Sequence, residues 1–165
     1  MDSLPVELLS RIFINALPPE LDDVRHPVHN FSPVQATISC VCQQWNQIAE
    51  STPGLWTFII LSNAATSQAQ AVMKRRLELS GNLPLNVSMR LLRREPDRGD
   101  YYGSWRKVSN DQSFLQMHAL LVEQVSRWET LRVEATVALP SMLREWIPPE
   151  LPNVAGLSLR LEVLG

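Results

Sequence analysis

Apolar positions in this chain repeat with two periods, and the period changes near residue 56. Before it they step by three and four. Leu8, Leu9, Ile12, Phe13 and Ala16 form one broad stripe, because residues three and four apart share a helix face. Pro5 suits a first helical turn, where its missing N–H costs nothing. Glu7 suits the positive end of the helix, and Pro18-Pro19 stops it. The pattern predicts a first helix over roughly residues 5–17. Val34, Ile38, Val41, Trp45 and Ile48 step by 4, 3, 4 and 3 and predict a second helix of about seventeen residues. Ser32-Pro33-Val34-Gln35 reads as its capping box, with Gln35 reaching back, and Ser51-Thr52-Pro53-Gly54 ends it. The polar stretch between the two helices, from Pro18 to Phe31, reads as a loop.

After residue 56 short alternating runs take over. Four strands are predicted, at Trp56–Leu61, Pro84–Met89, Thr130–Ala135 and Ala155–Leu161. Their apolar sets are Trp56, Phe58 and Ile60; Leu85, Val87 and Met89; Leu131 and Val133; and Leu157, Leu159 and Leu161. Helical stretches lie between them. Ser67–Ser80 carries Ala69, Val72, Met73 and Leu77 and ends at Gly81, a natural C-cap. The segment from about Asn110 to Trp128 carries Phe114, Met117, Leu121 and Val125. A short turn of helix is expected at Ser141–Ile147. Strands that alternate with helices imply a parallel sheet. Trp128-x-x-Leu131-x-Val133 recurs as Val154-x-x-Leu157-x-Leu159 at an offset of 26, within the roughly 20–29-residue period of leucine-rich repeats. The expected fold is mixed α and β: an amino-terminal helical unit, then a short, irregular leucine-rich-repeat-like solenoid with parallel strands.

Leu4-Pro5-Val6-Glu7-Leu8-Leu9-Ser10-Arg11-Ile12-Phe13, Val41-Cys42-Gln43-Gln44-Trp45-Asn46-Gln47-Ile48-Ala49 and the closing Pro53-Gly54-Leu55-Trp56 together resemble the F-box. The resemblance covers residues 4 to about 61, and the loop at about 18–31 is an insertion relative to the tight form of that module. It divides the chain into residues 1–61, F-box, and 62–165, repeat-like region. Ser80-Gly81-Asn82-Leu83-Pro84-Leu85, Ser126-Arg127-Trp128-Glu129-Thr130-Leu131 and Leu151-Pro152-Asn153-Val154 resemble linker phrases of a fungal group of F-box proteins with such repeats. What the resemblance implies is binding rather than catalysis. A Skp adaptor, and through it a cullin–RING ubiquitin ligase, would be met by Leu4, Pro5, Leu8, Leu9, Ile12, Phe13, Val41, Trp45, Leu55 and Trp56. Leu4, Pro5, Ile12 and Trp45 would be the main anchors. The repeat-like region would hold a protein target. The runner-up expectation is an F-box-bearing scaffold that works outside a ligase, which the long loop after the first helix suggests. The chain ends directly after a predicted strand, which reads as a truncated or naturally short member.

Composition narrows the remaining classes. The 165 residues hold 15 basic and 17 acidic side chains, a net charge of −2, so neither a nucleic-acid nor an anionic-membrane partner is expected. Asp2 and Glu7 fall where a secretory leader needs basic and then purely apolar residues. No apolar run reaches the roughly 18 residues of a membrane span. The expected location is cytoplasmic or nuclear.

Candidate chemistry is sparse, and no enzyme activity, cofactor or metal is expected. His26-x-x-His29 with Cys40-x-Cys42 suggests zinc, but on a continuous helix residues 40 and 42 lie about 200° apart. Cys42 beside Trp45 reads better as a small buried thiol. His118 is expected on the flank of its helix. Glu20, Asp22 and Asp23 near His26 read as a solvated turn. There is no G-x-S-x-G nucleophile phrase and no glycine-rich phosphate loop. The stretch Arg90–Lys107 interleaves arginines with Tyr101, Tyr102 and Trp105, but Glu95, Asp97 and Asp100 cancel half its charge. It reads as a surface insertion whose three aromatics are the candidate contacts for the target.

Overall fold

The computed structural model describes residues 4–17, 33–62, 69–91, 112–136 and 147–162. Helix α1 spans Val6–Asn15. Pro5 stands just outside it at φ −53° and ψ 143°, and its carbonyl accepts the amides of Leu8 and Leu9 at 3.0 and 3.1 Å. The expected second helix is two: α2, Pro33–Val41, and α3, Gln43–Glu50. Cys42 breaks it, with an extended backbone at φ −161° and ψ 167°. The apolar spacing carries across the break because both helices feed one core, Ile38 from α2 and Ile48 and Ala49 from α3. Periodicity reports the shared face, and it does not report the single residue that leaves the helix.

A 3₁₀ turn, Pro53–Trp56, leads into strand β1, Phe58–Ser62. Then come α4, Ala69–Leu79, β2, Leu85–Leu91, and α5, Gln112–Val122. A second 3₁₀ turn, Val125–Arg127, precedes β3, Trp128–Thr136, and β4 is Gly156–Glu162. The strands form one sheet in the order β1-β2-β3-β4, every pair parallel. The mixed α and β architecture with parallel strands is therefore present. The expected turn of helix at 141–147 lies almost wholly outside the described residues, as does the capping residue Ser32. Gln35 does not reach back to a cap: its amide nitrogen donates to the carbonyl of Leu55, so its side chain braces the domain interior.

Two apolar clusters organise the chain. One joins α1, α2, α3 and the first 3₁₀ turn through Leu9, Phe13, Ile38, Ile48, Ala49, Leu55 and Trp56. The other lies between the sheet and helices α4 and α5, where Leu85, Val87, Met89, Leu131 and Val133 meet Met73, Phe114, Met117 and Leu121. Leu79 of α4 reaches back into the first cluster. The amide of Asn86 also donates to the carbonyl of Thr57 at 2.9 Å. The two units thus share packing.

One expected frame is shifted. In β1 the side chains that join the cluster under the helices are Ile59 and Leu61; of the expected set, Trp56 belongs to the first cluster and Ile60 is buried outside both. The run Phe58-Ile59-Ile60-Leu61 is apolar at every position, so alternation cannot set its parity. Pairing sets it, with Ile59 opposite Val87 and Leu61 opposite Met89. Trp128, expected at the end of a helix, opens β3 instead and is fully buried.

Gly81 after α4 has φ +56°, and its amide donates to the Glu78 carbonyl at 3.1 Å. A Cβ there would meet nothing within 4 Å, so only the backbone conformation opposes a side chain. Gly81→Ala should lower stability by about 1–2 kcal/mol, read as a lower midpoint in urea at unchanged slope.

Candidate adaptor-docking surface

Helix α1 divides its apolar residues between two directions. Leu9 and Phe13 point into the first cluster and are buried. Leu8 and Ile12, one turn apart, are 47% and 50% exposed, and Leu4 ahead of the helix is 52% exposed. Val41, at the end of α2, is 54% exposed, and Pro5 is exposed beside Leu4. Singly exposed apolar residues are ordinary, but Leu8 and Ile12 on one side of α1, with Leu4 and Pro5 leading into it, make a continuous apolar stretch, a candidate interaction surface.

The inward residues hold that surface in place. The Phe13 and Trp45 rings lie 5.0 Å apart at 53°, and Trp45 is half-buried. The Trp56 indole N–H donates to the Ala49 carbonyl at 2.7 Å, which fixes the 3₁₀ turn against the end of α3. The Thr52 hydroxyl donates to the Ile48 carbonyl at 2.6 Å and lies 3.0 Å from the Ser10 hydroxyl, tying α3 to α1. Leu55 is fully buried, and its carbonyl takes the Gln35 amide. The Trp56 N–H, the Thr52 hydroxyl and the Gln35 amide nitrogen thus keep hydrogen-bond partners in the interior.

Residues 1–62 match the family model described as F-box-like. This part of the chain is similar to that family. No curated protein and no solved structure matches the chain. Of the ten positions carried over to the F-box-like domain from the resemblance, Leu4, Pro5, Leu8, Ile12 and Val41 are exposed in it, and Trp45 is half-buried. Leu9, Phe13, Leu55 and Trp56 are interior. All four pack in the first cluster. Two exposed apolar residues of α1, Val6 and Ile14, were not among the ten. They are apolar positions off the core stripe, and that was the only signal the sequence offered.

Other expected sites fall differently. Cys42 is exposed, as is Cys40. The helix break turns Cys42 out of the apolar interior, which corrects the expectation of a buried thiol. It also removes the continuous helix on which the zinc geometry was judged. Among the described residues no three His, Cys, Asp or Glu side chains gather as a metal site would need, and no helix is long and apolar enough to cross a membrane. His26, His29, Tyr101, Tyr102 and Trp105 lie outside the described residues. His118 is half-buried, its ring stacked at 6.3 Å on Phe114. Arg90, expected to open a surface insertion, belongs to β2.

Proposed function

We propose that this protein is the substrate-receptor subunit of a Skp–cullin–F-box ubiquitin ligase. The observation that carries the reading is the exposed apolar group Leu4, Pro5, Leu8, Ile12 and Val41 on a domain of the F-box-like family. Such a surface suits a helical adaptor. Its affinity would concentrate in a few anchors that lose water on docking. F-box domains generally bind the Skp adaptor. The chain would act by proximity, raising the local concentration of a target near the ubiquitin-charged enzyme, with no chemistry, cofactor or metal of its own. Its place of work would be the cytoplasm, the nucleus or both.

The carboxy-terminal region would hold the target. Three features support reading it as a short leucine-rich-repeat-like solenoid of the fungal F-box type. Its strands are parallel and follow one another in sequence order. Each of two 3₁₀ turns leads from a helix into a strand, with Trp56 and Trp128 at the junctions. Both indoles donate to a carbonyl seven residues back, Ala49 for Trp56 and Leu121 for Trp128 at 3.2 Å. Repeated joints of this kind stack units side by side.

Co-expression with a Skp adaptor, size-exclusion chromatography and a cullin pull-down test the proposal. The expected result is a stable adaptor complex that also retains the cullin. A binary complex from which the cullin is excluded would favour a scaffold outside a ligase, and a folded chain that ignores the adaptor would overturn the proposal.

A further inference from the structure

Free cysteine is among the residue types most often buried, and a thiol open to solvent is the kind that reacts. Cys40 and Cys42 are the chain's only cysteines, and both are exposed. The break between α2 and α3 places Cys42 outside. Its backbone is extended, and as the residue that opens α3 it makes no side-chain hydrogen bond to the helix end. Cys40 lies in the last turn of α2. The whole run Cys40, Val41, Cys42, Gln43 and Gln44 is exposed.

Two further features suit this run to covalent modification from solution. No residue from Pro33 to Ala49 is charged, so the segment holds no fixed carboxylate that would repel an anionic reagent. The two thiols also flank Val41, which is 54% exposed and belongs to the apolar group proposed to meet the adaptor. A tripeptide-sized adduct on either neighbour would lay charged, hydrated atoms beside Val41 and keep an apolar partner from closing over it.

We propose that Cys40 and Cys42 form a modification site for low-molecular-mass disulfides of the glutathione type, and that the adduct blocks adaptor docking. The blocking rests on the docking reading above; the site does not. The thiolate of one cysteine attacks a sulfur of the disulfide, and the S–S bond breaks as the mixed disulfide forms. The other half leaves as a thiolate and takes up the proton that the cysteine gave up. The small disulfide is the oxidant, reduced to a free thiol as the cysteine is oxidised. The cap is reversible by a reducing thiol.

The test treats the folded full chain with glutathione disulfide at neutral pH and removes the excess. One half of the sample goes to intact-mass spectrometry, the other to calorimetric titration with a Skp adaptor. The folded chain should gain glutathione, and its adaptor affinity should fall by about tenfold or more, the scale of losing one interface anchor. Dithiothreitol should reverse both effects. The double variant Cys40→Ser, Cys42→Ser changes two exposed thiols to hydroxyls of similar size. It should bind the adaptor as the untreated parent does and ignore the reagent. No adduct on the folded chain, or an adduct that leaves adaptor affinity unchanged, would overturn the inference. An untreated parent that ignores the adaptor sinks the ligase role and the blocking together, while the mass readout still decides the thiol site.

Discussion

A chain carrying Leu4→Ala and Ile12→Ala should bind a Skp adaptor about a thousandfold more weakly than the parent and melt within about 3 °C of it. Both residues are about half exposed and stand outside the core of the F-box-like domain. Anchors buried at an interface cost about 2 kcal/mol or more each on truncation. Two such losses total about 4 kcal/mol, and each 1.4 kcal/mol is tenfold in affinity. Stability should move little, because exposed substitutions away from special features usually stay within about 0.5 kcal/mol and Ala favours the helix at position 12. Phe13→Ala is the contrasting variant. That ring is buried against Trp45, and its loss should cost about 3–5 kcal/mol of stability. Calorimetric titration beside thermal unfolding separates the two effects. Unchanged affinity in the double variant would remove α1 from the docking surface.

Trp128→Ala should be the most damaging single change in the sheet region, costing about 3–5 kcal/mol, a large fraction of the roughly 5–15 kcal/mol that holds a domain together. Trp128 is fully buried in the sheet cluster, and its N–H is bonded to Leu121 at the end of α5. The truncation leaves a cavity and unties the joint between α5 and β3. At roughly 2–4 °C per kcal/mol for a chain of this size, the melting midpoint should fall by about 6–20 °C. Trp128→Phe keeps the bulk but not the donor and should recover most of the loss. A midpoint within about 2 °C of the parent for Trp128→Ala would mean that this joint does not hold the sheet region together. Neighbouring Arg127 secures the same junction from outside: its guanidinium donates to the Ser80 hydroxyl at 2.8 Å and to the Leu83 carbonyl at 2.9 and 3.1 Å.

The sequence was most legible where one face is apolar and the other polar. In α5, β2 and β3 the apolar residues of the core follow from spacing alone, since a helix or strand with one dry side has one way to pack. Gly81 was legible for a different reason, because the left-handed conformation that ends α4 favours a residue without a side chain. The errors arise where pattern carries no phase. The uniformly apolar Phe58–Leu61 run gave no parity, and the continuous stripe across Cys42 concealed a break in the helix.

The amino-acid sequence alone determined the alternation of helices and strands after residue 56, the parallel arrangement of the strands, and the likeness of the first 62 residues to the F-box-like family. Each of these rests on local spacing or on a run of residue types, which a chain carries wherever it folds. Tertiary structure decided which apolar residues of the F-box-like domain are spent on its own core and which remain outside. Leu8 and Leu9 are the same residue type at adjacent positions, yet Leu9 is buried and Leu8 is half exposed. Nothing local separates them. Only the direction from which α2, α3 and the first 3₁₀ turn approach α1 does, and that direction is set by contacts between residues far apart in the chain.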